Sequence, residues 1–195
     1  MLERVSENPK QTAADLVALG EDASFELIHG VLVEKPWASP VHCRRHTKIS
    51  SWITRRYDRA RSERWPGGWE IRTEEKVQYE TTEVFKHDLA GWHRDRAPTN
   101  ARGLVTVAPD WVCELMSLGH EKRDRVDKLE VLRTARVPHY WIVHPERREL
   151  FVHQLCGSGY ELVLTATPGE VVRAPPFEAV ELRVDVLFGD ADDED

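Results

Sequence analysis

Apolar positions along the chain fall into short alternating runs broken by turn residues, with two longer stretches at helical spacing. Thr12-Ala13-Ala14-Asp15 has the form of a capping box and predicts a short helix through Leu19, closed by Gly20. Phe25-Glu26-Leu27-Ile28 and Val31-Leu32-Val33-Glu34 flank His29-Gly30, the pattern of a hairpin around an x-Gly turn. Glu26 there is expected to face water or a cross-strand partner. After a proline-bounded break at residues 36–40, Ile49, Trp52, Ile53 and Tyr57 recur on one side of a predicted helix over 42–64, whose other sides carry arginines. Pro66-Gly67-Gly68 is a turn, followed by predicted strands over 69–79 and 84–91 and a polar loop over 93–102. Residues 149–155 and 160–165 form a predicted hairpin turning at Gly157-Ser158-Gly159, and 184–188 packs back as a short final element.

The most informative stretch runs over residues 109–145. An apolar strand, Trp111-Val112-Cys113-Glu114-Leu115-Met116, precedes a charged helical segment predicted from Ser117 to about Arg136, then a second apolar strand, His139-Tyr140-Trp141-Ile142-Val143. Val126, Leu129 and Leu132 give the helix its apolar stripe, and Pro138 bars its continuation. Glu114 is the anomaly: a carboxylate inside an apolar run is costly to bury unless it is paired or holds a metal. Asp124 and Lys128 lie four apart and can pair on the helix surface; alternatively Lys128 turns back toward Glu114.

Composition narrows the class. The 195 residues are 41% hydrophobic and 31% charged, enough for one buried domain over 1–189 followed by an acidic tail over 190–195. That tail holds five carboxylates and is expected to be solvated. No apolar run is long enough to span a bilayer, and the first four residues lack a signal-peptide core, so no membrane segment is expected. Cys43, Cys113 and Cys156 cannot all pair within one chain; reduced thiols in a cytoplasm fit best. A formal net charge of -7 argues against a protein that coats DNA non-specifically. The arginines between 44 and 64 nevertheless concentrate positive charge, either as a solvated helix face or as a phosphate-contacting surface.

Two carboxylates in separate strand-like runs, Asp88 and Glu114, could hold a hard cation such as Mg2+ or Mn2+, with the Lys128 ammonium nearby. This trio would suffice for metal-assisted phosphodiester hydrolysis. His42 and His46, four apart, have the spacing of a helical zinc pair, but Cys43 stands where the metalloprotease pattern has glutamate.

The order of Phe25 to Gly30, Ser39-Pro40-Val41-His42, Asp88-Leu89, Ala108 to Ser117, Arg123-Asp124, Lys128-Leu129 and Ala135 to Glu146 resembles the Uma-type putative restriction endonuclease family of the PD-(D/E)xK nuclease superfamily. The resemblance covers roughly residues 12–190. It implies an α/β restriction-endonuclease-like fold, a mixed β-sheet core flanked by helices. It also implies an Mg2+-dependent endonuclease acting on DNA, and a homodimer. Asp88 and Glu114 would be the metal-binding acids and Lys128 the catalytic lysine, because Met116 occupies the usual lysine position two residues after Glu114. Glu26 and Asp124 would be supporting residues. His87 replaces the usual proline before the aspartate, and His29 the usual aspartate of the hairpin turn. Two other readings stand beside this one. One is a binding or assembly module that retains the fold without catalysis; the other is a zinc hydrolase built on His42 and His46.

Overall fold

The computed structural model describes residues 9–21, 23–35, 39–100, 102–116 and 127–193. A short helix α1 (Ala13–Ala18) precedes the hairpin β1 (Phe25–Ile28) and β2 (Val31–Glu34). His29 and Gly30 turn that hairpin with φ of 53° and 79°, the left-handed pair that a two-residue connection between twisted strands requires. Helix α2 (Pro40–Tyr57) follows, capped by Ser39, whose Oγ accepts from His42 N–H at 3.2 Å. It stops short of the predicted end at 64. Beyond Tyr57 the chain doubles back, with Gly67 N–H donating to Arg56 O and Gly68 N–H to Arg59 O, so Arg59, Arg61 and Arg64 lie off the helix.

Strands β3 (Trp69–Glu80), β4 (Glu83–His93) and β5 (Trp111–Leu115) lead to α3 (Lys128–Thr134) and β6 (His139–His144). Of the helix predicted over 117–136, residues 117–126 lie outside the described residues, as does Asp124 with its proposed pairing to Lys128. β7 (Glu149–Cys156), β8 (Gly159–Ala166), β9 (Val171–Val172), β10 (Leu182–Arg183) and α4 (Val184–Phe188) complete the chain. The main sheet is mixed, ordered β2-β1-β4-β5-β6-β7-β8, with β3 beside β4 and β5–β6 pairing in parallel. This is the mixed sheet flanked by helices that the sequence predicts.

Each face of the sheet carries a core. Ile49, Trp52, Ile53 and Tyr57 of α2 pack with α4 on Trp69, Trp111 and Trp141. On the opposite face Val131 and Leu132 of α3 pack on Val112, Tyr140 and Ile142. Burial of these large side chains, each contributing about 1.5–3 kcal/mol, clamps the sheet between its helices.

One topological detail positions the site. β3 runs along one edge of β4 from Glu80↔Glu83 to Trp69↔His93. The other edge is shared: β1 takes one end at Leu27↔Val84, and β5 takes the other at Leu89↔Cys113 through Gly91↔Trp111. Between them, over residues 85–88, no strand among the described residues pairs with that edge of β4. Alternation also slips here, since Phe85, Ala90 and Trp92 join the same core despite their mixed parity. Opposite Asp88, Glu74 has φ 55°, although the register stays in step on either side at Thr73↔Leu89 and Glu75↔His87.

Candidate active site

Backbone groups left along the open edge of β4 and the facing end of β5 must find partners, because buried N–H and C=O groups are almost always paired. Charged side chains supply them. Glu26 Oε1 accepts from Lys86 N–H at 3.0 Å, Asp88 Oδ2 accepts from Leu115 N–H at 2.7 Å, and Lys35 Nζ donates to Lys86 O at 2.8 Å. The carboxylates therefore stand in for a missing strand, and the gap becomes a pocket of charge inside the sheet.

Three elements converge on this gap. Lys128, the first residue of α3, is fully buried, its Nζ 3.0 Å from Glu114 Oε1 and 2.9 Å from Glu26 Oε1. Its helix turns back onto β5 because Val131 and Leu132 must reach the core beneath it. Lys35 leaves the end of β2, and its Nζ donates to Asp88 Oδ1 at 2.6 Å. From α2, His42 Nε2 lies 3.8 Å from Asp88 Oδ1, while His46 Nε2 is 2.9 Å from the Asp88 carbonyl oxygen. A hydrogen-bonded chain closes the far side: Tyr79 Oη to His87 Nε2 at 2.7 Å, and His87 Nδ1 to Glu114 Oε1 at 2.6 Å.

Burial acts alike on the two acids, and their charged neighbours set them apart. It opposes ionisation of both, but the Lys35 ammonium and His42 outweigh it at Asp88 and hold that carboxyl well below the usual carboxylate range. At Glu114 burial prevails over the attraction of Lys128, with the negative charge of Asp88 adding to it, and the acid is pushed up to about 7. Burial, helped by the nearby Lys128 charge, lowers His87 to about 3 and keeps its imidazole neutral. A neutral ring that donates from Nδ1 to Glu114 accepts at Nε2 from the Tyr79 hydroxyl. Lys35 stays charged: burial opposes this, but Asp88 and Glu114 overcome it.

Asp88, Glu114 and Lys128, separated along the sequence, thus meet in one cluster, and Glu26 joins them. The expectation that Glu26 faces water or a simple cross-strand partner is corrected: it is fully buried at the Lys128 ammonium. Both rings of the His42–His46 pair reach atoms of Asp88, and no group of three or more His, Cys, Asp or Glu side chains placed to hold a metal ion occurs among the described residues. The sequence reading missed Lys35, which lies outside any motif, and Tyr79, whose partner His87 is eight residues away along the chain. His87 itself was visible only as a departure from a family pattern.

The donor chemistry fits a hard divalent cation. Asp88 and Glu114 offer oxygen ligands, and a cation such as Mg2+ keeps most of its waters. Lys35 Nζ holds one of those oxygens, Asp88 Oδ1, at 2.6 Å.

A mixed sheet whose opened central edge gathers two acids and a lysine defines a nuclease-fold protein. The chain belongs to the family described as Uma2, "putative restriction endonuclease", whose model matches residues 12–186. Its fold is similar to that of a crystal structure described as "a putative nuclease belonging to DUF820" from Anabaena variabilis ATCC 29413. The two share 19% identity and a TM-score of 0.71 over 91% of this chain and 97% of that one. No curated protein matches the sequence. Among the described residues, no helix is long and apolar enough to cross a membrane.

Proposed function

We propose that the protein is an Mg2+-dependent endonuclease that hydrolyses phosphodiester bonds in DNA. The observation that carries this reading is the convergence of Asp88, Glu114 and Lys128 at the opened edge of β4. Asp88 and Glu114 would hold the cation, which supplies a polarised phosphoryl oxygen and a bound water of lowered pKa.

The protein's own residues do the rest. Lys128 favours the ionised form of Glu114 against the cost of burial, and its ammonium is placed to stabilise charge developing on a phosphate. Tyr79 and His87 fix the Glu114 carboxylate and give it a proton-relay path. His46, on the Asp88 carbonyl, anchors α2 to the strand carrying the first acid. On this reading the enzyme works in the cytoplasm, where Cys43, Cys113 and Cys156 remain the free thiols they are here.

The test is incubation of purified protein with supercoiled plasmid and Mg2+ or Mn2+. Nicking or linearisation is expected, and Asp88→Ala and Glu114→Ala must each abolish it. Failure to cut plasmid, linear or single-stranded DNA, or cleavage that survives both substitutions, overturns the proposal. The Lys35–Asp88 pair favours a second reading, a non-cleaving module in which Lys35 replaces the cation permanently. Calorimetric titration with Mn2+ separates the two, since only the nuclease binds the ion at Asp88.

A further inference from the structure

The acidic end of the chain is not simply solvated. Gly189, with φ 76°, ends α4 in a left-handed turn, and residues 190–193 pass back across α2. There Arg56 Nη1 and Nη2 donate to Asp193 Oδ2 and Oδ1 at 2.7 and 2.5 Å, a two-pronged fork. Arg55 Nη1 lies 3.5 Å from Asp193 Oδ2, Lys48 Nζ 3.3 Å from Asp192 Oδ1, and Arg148 donates to Asp190 Oδ2.

These contacts are unequal. Lys48–Asp192 and Arg148–Asp190 are exposed pairs of the kind that contribute little to stability. The Arg56–Asp193 pair is different, with side chains only 5% and 12% exposed. The Arg56 Cζ also lies 5.0 Å from the ring centroids of both Trp52 and Trp65, and Nη1 donates to Trp52 O at 3.1 Å. Its fork is therefore pre-set, and a guanidinium fork accepts a phosphate in the same two-point manner as a carboxylate.

We propose that the basic side of α2 docks the phosphate backbone of a nucleic acid, with Arg56 gripping one phosphate, and that the tail is a built-in competitor whose Asp193 fills that fork. The inference rests on the nuclease reading for its choice of polyanion. One helix carries both groups: α2 brings His42 and His46 to Asp88 at one end and carries Arg55 and Arg56 near the other. The fourteen residue steps from His42 to Arg56 span about 21 Å of helix, or about six nucleotides of one strand of a B-form duplex. An overall charge of -7 would otherwise repel DNA, so a local cationic track is what such an enzyme needs.

The test measures anisotropy of a short fluorescein-labelled DNA duplex in EDTA, with NaCl varied. Three full-length proteins are compared: the unaltered chain, Asp190→Asn/Asp192→Asn/Asp193→Asn, and that triple variant carrying Lys48→Gln/Arg55→Gln as well. Neutralising the tail is expected to tighten binding about tenfold and to steepen its salt dependence, each freed cation adding about 0.9 to the log–log slope. The two added substitutions are expected to reverse most of the gain. Equal affinity of the unaltered and triple-variant proteins overturns the proposal. So does a gain that survives Lys48→Gln/Arg55→Gln, because the cations beside the tail on α2 would then take no part in binding. If the triple variant does not fold, hydrogen exchange on the unaltered protein decides: saturating duplex must deprotect the Asp190 amide, bonded here to Asp185 O at 3.1 Å, and unchanged exchange overturns the dock. Cleavage plays no part in these measurements. Absent cleavage with tail-gated binding retires the nuclease reading alone, whereas Asp88-dependent cleavage without a tail effect retires the dock alone.

Discussion

Lys128 and Glu114, fourteen residues apart in sequence, meet through a 3.0 Å ammonium–carboxylate contact in which neither side chain is more than 3% exposed. A helix thereby supplies the cation that the strand lacks, since Met116 is the residue two places beyond Glu114. The same ammonium serves Glu26 from β1, so one charge ties three elements together.

Replacing Lys128 with methionine keeps much of the volume but leaves two buried carboxylates without this ammonium. Breaking a buried pair on one side is expected to cost about 3–5 kcal/mol, measured as a lower urea midpoint. DNA cleavage should fall by at least about a hundredfold, the scale of losing one preorganised charge-stabilising donor. Lys128→Met/Glu114→Gln should recover part of the lost stability. Strict additivity of the two single effects would show that the contact carries no coupling.

Lys35 competes with any cation for Asp88. Lys35→Met removes a positive charge 2.6 Å from Asp88 Oδ1, and Mn2+ affinity should rise by about tenfold, about 1.4 kcal/mol. Isothermal titration calorimetry reads this directly. Unchanged or weaker binding would mean that the ammonium and the metal do not share the position.

Asp88 also serves the sheet, through its 2.7 Å bond from Leu115 N–H. Asp88→Asn keeps an acceptor oxygen, whereas Asp88→Ala leaves that amide without its partner. Both variants should lose cleavage, but hydrogen exchange at the Leu115 amide should accelerate only in the alanine protein. Equal acceleration in both would place the bond's importance in charge rather than in acceptor geometry.

His139, at the start of β6, is held below the usual histidine range chiefly by burial. The native state therefore stays neutral there while the unfolded chain takes up a proton as pH falls through about 6.5. Stability must decline as pH drops from that point toward the lower native pKa, by up to about 1.4 kcal/mol per pH unit. Urea unfolding in EDTA from neutral pH down to about 5 should show a shallower decline in His139→Gln than in the unaltered protein.

Much of the architecture was legible because it follows from local rules. The His29-Gly30 hairpin, the Ile49-Trp52-Ile53 helix and the β7–β8 hairpin each declare themselves through turn chemistry or periodicity. Glu114 stood out because a charge in an apolar run is expensive, and Lys128 could be aimed at it because a strand–helix connection brings the two near. The helix around residues 42–64 was overextended, because a run of arginines is compatible with helix and nothing local reports that Gly67 and Gly68 fold back onto Arg56 and Arg59.

By itself the sequence determined the alternation of elements, the two acids and the lysine, and an acidic tail on a molecule with one basic segment. Only the tertiary structure decided that β1 and β5 leave an opening along one edge of β4. It also decided that Glu26 is buried there, that Lys35 occupies Asp88, that Tyr79 and His87 back Glu114, and that Asp193 caps Arg56. These are contacts between residues far apart along the chain. Periodicity and propensity act over a few neighbours, whereas the demand that buried backbone and charge be paired is met by whatever the fold brings within about 3 Å.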